Sequence, residues 1–189
     1  MNAFNRIFAI CSVVFSFLGD HALAAEVTFS TQFLSRQPAP GTSANVNFST
    51  FASPVVGGVN QTAFLATLEG PGVGLANDQG LWNRLDGVTV LLEREGFPAS
   101  GIGGAVMNNG FTNNSIVLNS SNQIAFQASL IGAGVGNQNN EALWQGAPGA
   151  LILAARKGSQ ADGLSAGANY NGFLPPAMNN AGQVAFKAV

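Results

Sequence analysis

Phe126-Gln127-Ala128-Ser129-Leu130 decides the fold of this chain, because large apolar, polar and small apolar residues alternate in it with a period of two. That is the period of a β-strand with one face turned to a core. Two other segments keep the same phase, Phe64-Leu65-Ala66-Thr67-Leu68 and Phe186-Lys187-Ala188. Each follows an Ala, so Ala-Phe recurs at 63–64, 125–126 and 185–186, with the phenylalanines 62 and 60 residues apart. The turn before each Ala-Phe has Asn60, Asn122 or Gly182 at its fourth place. Asn and Gly tolerate positive φ best, so a left-handed turn residue is the expected common demand.

Outward from these strands the same spacing returns. Leu81-Trp82 and Leu143-Trp144 lie 62 residues apart, as do Arg94 and Arg156, Gly101 and Gly163, and Phe111 and Phe173. Arg36 and Gly41 extend the pattern upstream. Between the Phe and Trp strands run the Gly-rich turns 70–74 and 132–136, and aliphatic runs follow at Val88–Leu92 and Leu151–Ala154. A fourth strand is expected from Phe111 to Leu118, with a counterpart beginning at Phe173, where Pro175-Pro176 favours an edge or a loop. No amphipathic helix is expected after residue 25.

The expected fold class is therefore all-β, in tandem repeats of about 62 residues with about four short strands each. A partial unit occupies 26–62, full units 63–124 and 125–184, and the start of another 185–189. Four strands per unit suggest β-propeller-like blades, yet about 2.6 units fall short of the roughly four a propeller needs. Three readings stay open: the front of a longer repeat protein, a ring of copies (a homo-oligomer), or an open stack with protected ends.

Composition narrows the function. Charged residues are only 8% of the 189, hydrophobics are 47%, and the net charge is −2. A nucleic-acid partner is not expected, since it would require a basic stripe. Residues 1–24 read as a signal peptide: Arg6, an apolar run from Ile7 to Leu18, and the small-x-small site Ala22-Leu23-Ala24 before Ala25. A largely apolar run of twelve residues is too short to span a bilayer, so no membrane span is expected after cleavage, and the location is secreted or extracytoplasmic. Cleavage would remove the one cysteine, Cys11, and the one histidine, His21. Thiolate and imidazole mechanisms and His-ligated zinc would leave with them.

Asn179-x-x-Gly182-x-x-Ala185-Phe186 resembles the signature of the NxxGxxAF tandem-repeat family, the choice-of-anchor tandem-repeat exported bacterial proteins. Asn119 and Asn122 match with Asn in place of Gly, whereas Gly57 and Asn60 depart at both positions. Leu-Trp and Arg-x-Gly (Arg94-x-Gly96, Arg156-x-Gly158) also resemble that family. The resemblance implies an exported, repeat-built β structure, and transfers no catalytic residue.

Candidate ligand positions are Asn77 and Asp78 before the first Trp strand, and Asn139, Asn140 and Glu141 before the second. Their oxygens suit Ca2+, although turn chemistry accounts for the same residues. Trp82 and Trp144 are read as core ahead of sugar platforms. Arg36, Arg94 and Arg156 are read as bonding backbone carbonyls or a nearby acid, with Glu93 and Glu95 balancing Arg94. No catalytic residue is expected. The expected role is a scaffold or binding module whose partner is a carbohydrate or a surface protein. The alternative is a propeller-type carbohydrate-active enzyme, needing two carboxylates within about 5–9.5 Å, or a lectin-like sugar binder.

Overall fold

In the computed structural model the chain is described over residues 7–14, 26–103, 105–112 and 114–189, and every element among them is a β-strand. The cleavage position between Ala24 and Ala25 lies outside the described residues. Strands β1 (Ile7–Val14) and β2 (Glu26–Leu34) form an antiparallel pair. Among the described residues no helix is long and apolar enough to cross a membrane.

Two larger antiparallel sheets follow. The first is a four-stranded meander of β3 (Asn47–Val56), β4 (Gln61–Glu69), β5 (Gln79–Leu85) and β6 (Val88–Arg94). The second contains β7 (Ala105–Phe111), β8 (Val117–Leu118), β9 (Ile124–Gly132), β10 (Glu141–Ala147) and β11 (Ala150–Arg156). Both β7 and β8 pair with β9, so the strand expected from Phe111 to Leu118 is broken after Phe111. The break is a turn, closed by the Ser115 amide and hydroxyl donating to the Thr112 carbonyl. A short pair, β12 (Ala177–Met178) and β13 (Val184–Ala185), ends the chain. The strand expected to begin at Phe173 is reduced to a single bridge to Ala188, and Pro175-Pro176 lie outside the strands because they have no N–H for a ladder.

The period-two pattern sorts the side chains by face. In the first sheet Phe64, Ala66, Leu68 and Trp82 enter one cluster with Phe33, Val46 and Phe48. The alternate residues Ala63, Leu65 and Leu81 enter another with Phe111, Ile124, Phe126, Ala128 and Trp144 of the second sheet. The reverse face of the second sheet carries Leu143 and Ala155 onto Phe173, Tyr170 and Phe186. Each sheet is thus covered on both faces. This corrects the half-buried strand that alternation suggests: Thr62, Asn83 and Gln127 are buried along with the apolar residues between them. Burying each such Phe or Leu contributes about 1.5–3 kcal/mol, so stacking sheets on both sides is the main source of stability.

The turns before the Ala-Phe strands stack as well. Gln61 Nε2 donates to the Ser120 carbonyl (3.1 Å), and Asn119 Nδ2 donates to the Asn179 carbonyl (3.0 Å). Asn60, Asn122 and Gly182 hold φ of 56°, 58° and 79°, the left-handed conformation their residue types suggest. Asn119 and Asn179 close these turns: Asn119 Oδ1 accepts from the amides of Ser121 and Gln123, and Asn179 Oδ1 from those of Ala181 and Gln183.

Candidate functional site

The loops before the Trp strands repeat one hydrogen-bond pattern. Asn77 Oδ1 accepts from the Gly74 amide (2.8 Å), its Nδ2 donates to the Gly72 carbonyl (3.0 Å), and its carbonyl accepts from Arg94 Nε (2.9 Å). Asn139 does the same with Gly136 (2.8 Å), Gly134 (3.0 Å) and Arg156 (2.9 Å). The carbonyls of Asp78 and Asn140 accept from Leu68 and Leu130 at 2.7 and 2.8 Å. These residues hold a tight loop against its sheet, which occupies both polar atoms of each Asn side chain. Gly96 and Gly158 let that loop approach: a Cβ there would lie 2.6 Å from the Ala76 carbonyl oxygen and 2.5 Å from that of Gln138.

Glu141 departs from its loop. Its Oε1 accepts from Gln127 Nε2 (2.5 Å) and from the Phe173 amide (2.9 Å), tying the second sheet to the segment stacked on it. At the matching place of the first sheet stand Leu65, Gln79 and Phe111. There a cavity of about 230 Å³ opens, lined also by Thr50, Ala52, Ala66 and Thr67. The structure therefore does not gather Asn77, Asp78, Asn139, Asn140 and Glu141 into one site, but distributes them over two sheets.

The tryptophans are core residues. Trp82 and Trp144 are both 0% exposed, stack on Phe64 and Phe126, and donate Nε1–H to the carbonyls of Pro40 (2.9 Å) and Ser100 (2.8 Å). No sugar reaches their faces. Arg94 and Arg156 bond backbone carbonyls, as expected of them, and Arg94 also lies over the Phe97 ring at 5.0 Å.

Glu93 and Glu95 do not balance Arg94. Successive strand residues point to opposite faces, and the register sets Gly80 against Arg94 and Leu81 against Glu93. Glu93 therefore projects away from the Arg94 face, Glu95 lies in the turn that follows β6, and both are buried, at 5% and 0% exposure. The Ser100 amide donates to Glu93 Oε1 at 3.3 Å, and burial pushes the Glu93 carboxyl above the usual range. Burial pushes Glu95 up too, and the neighbouring Asp78 carboxyl adds to it. Neither Glu95 oxygen has a hydrogen-bond partner. In sequence these acids look like flanks of a surface arginine. The signal that marks Glu93 is its strand phase, which places it in register with the buried Leu81.

Stacked antiparallel sheets with matching loops, buried tryptophans and stacked turns define a repeat-built all-β protein. The chain belongs to the family of unknown function DUF7453, whose model matches it twice, over residues 28–116 and 104–189. No curated protein and no solved structure matches it.

Proposed function

We propose that this chain is an exported, non-catalytic β-repeat protein that serves as a scaffold or binding module at the cell surface or outside it. In this reading the unit is a propeller-like blade of about 62 residues, and the NxxGxxAF-type turns are the polar seam along which blades stack. One observation carries it: the side chains recurring at that spacing and best suited to a ligand make the same internal bond in both sheets. Asn77 and Asn139, Arg94 and Arg156, and Trp82 and Trp144 are all used to hold the fold. Recognition then falls to exposed positions where the two copies differ, such as Glu69 against Ile131 and Leu75 against Asn137.

The carbohydrate-active reading draws on Glu93 and Glu95, two buried acids that flank Arg94 in sequence. It is the weaker of the two, because exposures of 5% and 0% leave no room for a glycosidic oxygen between them. The test has two parts. Expressed in a Gram-negative host, the product is expected in the periplasmic or secreted fraction with Ala25 as its first residue by intact-mass analysis; an intact Met1 form retained in the cytoplasm overturns the export reading. Incubated with a panel of polysaccharides, it is expected to release no reducing ends; release that disappears in Glu93→Gln overturns the non-catalytic reading.

A further inference from the structure

We propose that the cavity between the first sheet and Phe111 binds one neutral sugar residue; this rests on the binding-module reading and names its ligand class. Strands β3, β4 and β5 bring Thr50, Leu65, Thr67 and Gln79 to one face. Thr50 and Gln79 both stand opposite Thr67, and Leu65 lies two residues before it on the same strand. Phe111 of β7 lines the facing side, and the space between is about 230 Å³. At roughly 30 Å³ per water this is room for about seven waters, the scale of a single pyranose ring. Thr50, Thr67 and Gln79 are half-buried, so the cavity opens to solvent.

The lining decides the chemistry. It carries no charged side chain, so an ion entering it would give up hydration for no counter-charge. An apolar ligand would leave two hydroxyls and a carboxamide unpaired. The Thr50 and Thr67 hydroxyls share one hydrogen bond of 2.6 Å, and the Thr50 amide donates to Thr67 Oγ1 at 3.1 Å. Only one of the two hydroxyl hydrogens lies in that bond, so the other is left to donate. The Gln79 carboxamide bonds no group among the described residues, which leaves it both a donor and an acceptor. Sugar hydroxyls donate and accept in the same way, and Leu65 and Phe111 supply an apolar wall for the C–H face of a ring. In the second sheet Gln127 and Glu141 stand at the places of Leu65 and Gln79. There Glu141 Oε1 accepts from Gln127 Nε2 and from the Phe173 amide, so the chain's own polar groups occupy the position that is open in the first sheet. The cavity is therefore not a requirement of the repeat.

The experiment uses the full chain and four probes, D-glucose, D-galactose, D-mannose and N-acetyl-D-glucosamine, each titrated in saturation-transfer NMR. At least one is expected to bind with a Kd on the order of millimolar, as suits a single small ring. Sodium glucuronate, which adds a charge, should bind more weakly than that sugar; equal binding overturns the neutral assignment. Gln79→Leu removes the carboxamide, and Ala52→Leu, at an exposed lining position, narrows the opening. Each should weaken sugar binding by about tenfold or more, while far-ultraviolet circular dichroism stays that of the wild type. Binding that survives both substitutions overturns the cavity site and keeps the binding-module reading. Failure of all four sugars to bind the wild type also overturns the site, and leaves the scaffold form of that reading standing.

Discussion

At the residue scale the left-handed turn positions make the sharpest demands. Asn122 combines a φ of 58° with a side-chain bond from Asn83 Nδ2 at 2.9 Å. Asn122→Gly keeps the backbone relaxed and should lose only the bond, about 1 kcal/mol. Asn122→Ala loses the bond and strains the backbone, costing about 1–2 kcal/mol more. Urea denaturation of the two variants checks the order. Gly96→Ala should be worse than Gly72→Ala: both hold positive φ, but only Gly96 sets a carbonyl oxygen 2.6 Å from the new methyl group, whereas nothing lies near Gly72. Glu93 predicts a pH dependence. Its folded-state pKa is raised, so the folded chain binds the proton more tightly than the unfolded one. Its contribution is full below the ordinary glutamate value of 4.5 and is lost as pH rises through the higher folded value. Wild-type stability should fall on going from pH 4.5 to 7, and Glu93→Gln should flatten that decline in a series of thermal melts.

At the element scale the two sheets are natural replicates that differ at a few places. Gln127, Glu141 and the Phe173 amide form one network in the second sheet, where the first has Leu65, Gln79 and a cavity. Gln127→Leu alone strips Glu141 of a donor while leaving it part-buried. Adding Glu141→Gln should recover part of the loss, giving a coupling of roughly 0.5–3 kcal/mol in a double-mutant cycle. Additive losses would show that the two residues do not act together. The elements themselves are legible in the sequence. Alternation marks β4 and β9, and the spacing of Trp82 and Trp144 marks β5 and β10. The split between β7 and β8 is not legible, because Phe111, Ile116 and Leu118 supply apolar residues on both sides of a turn that Ser115 closes on Thr112 and ties to the distant Gln127 carbonyl.

At the scale of the whole molecule, one cluster holds Ala63, Leu65 and Leu81 from the first sheet together with Phe126, Ala128 and Trp144 from the second. The sheets share a core, so they should unfold together. The chain's two tryptophans report on one sheet each. In Trp82→Phe the fluorescence follows the second sheet, and in Trp144→Phe the first. Within each variant, the fluorescence and far-ultraviolet circular dichroism transitions should coincide; separate midpoints would show that the sheets melt independently. The sequence by itself determined the strand class, the recurrence of Phe, Trp, Arg and Gly, and the turn conformation at Asn60, Asn122 and Gly182, because these depend on period and on local backbone sterics. The tertiary structure alone decided that the strands are covered on both faces, that Glu141 reaches into the second sheet's interface, and that Glu93 and Glu95 are buried. Those outcomes depend on which strands pair and which sheets stack, and pairing joins residues that the chain keeps far apart.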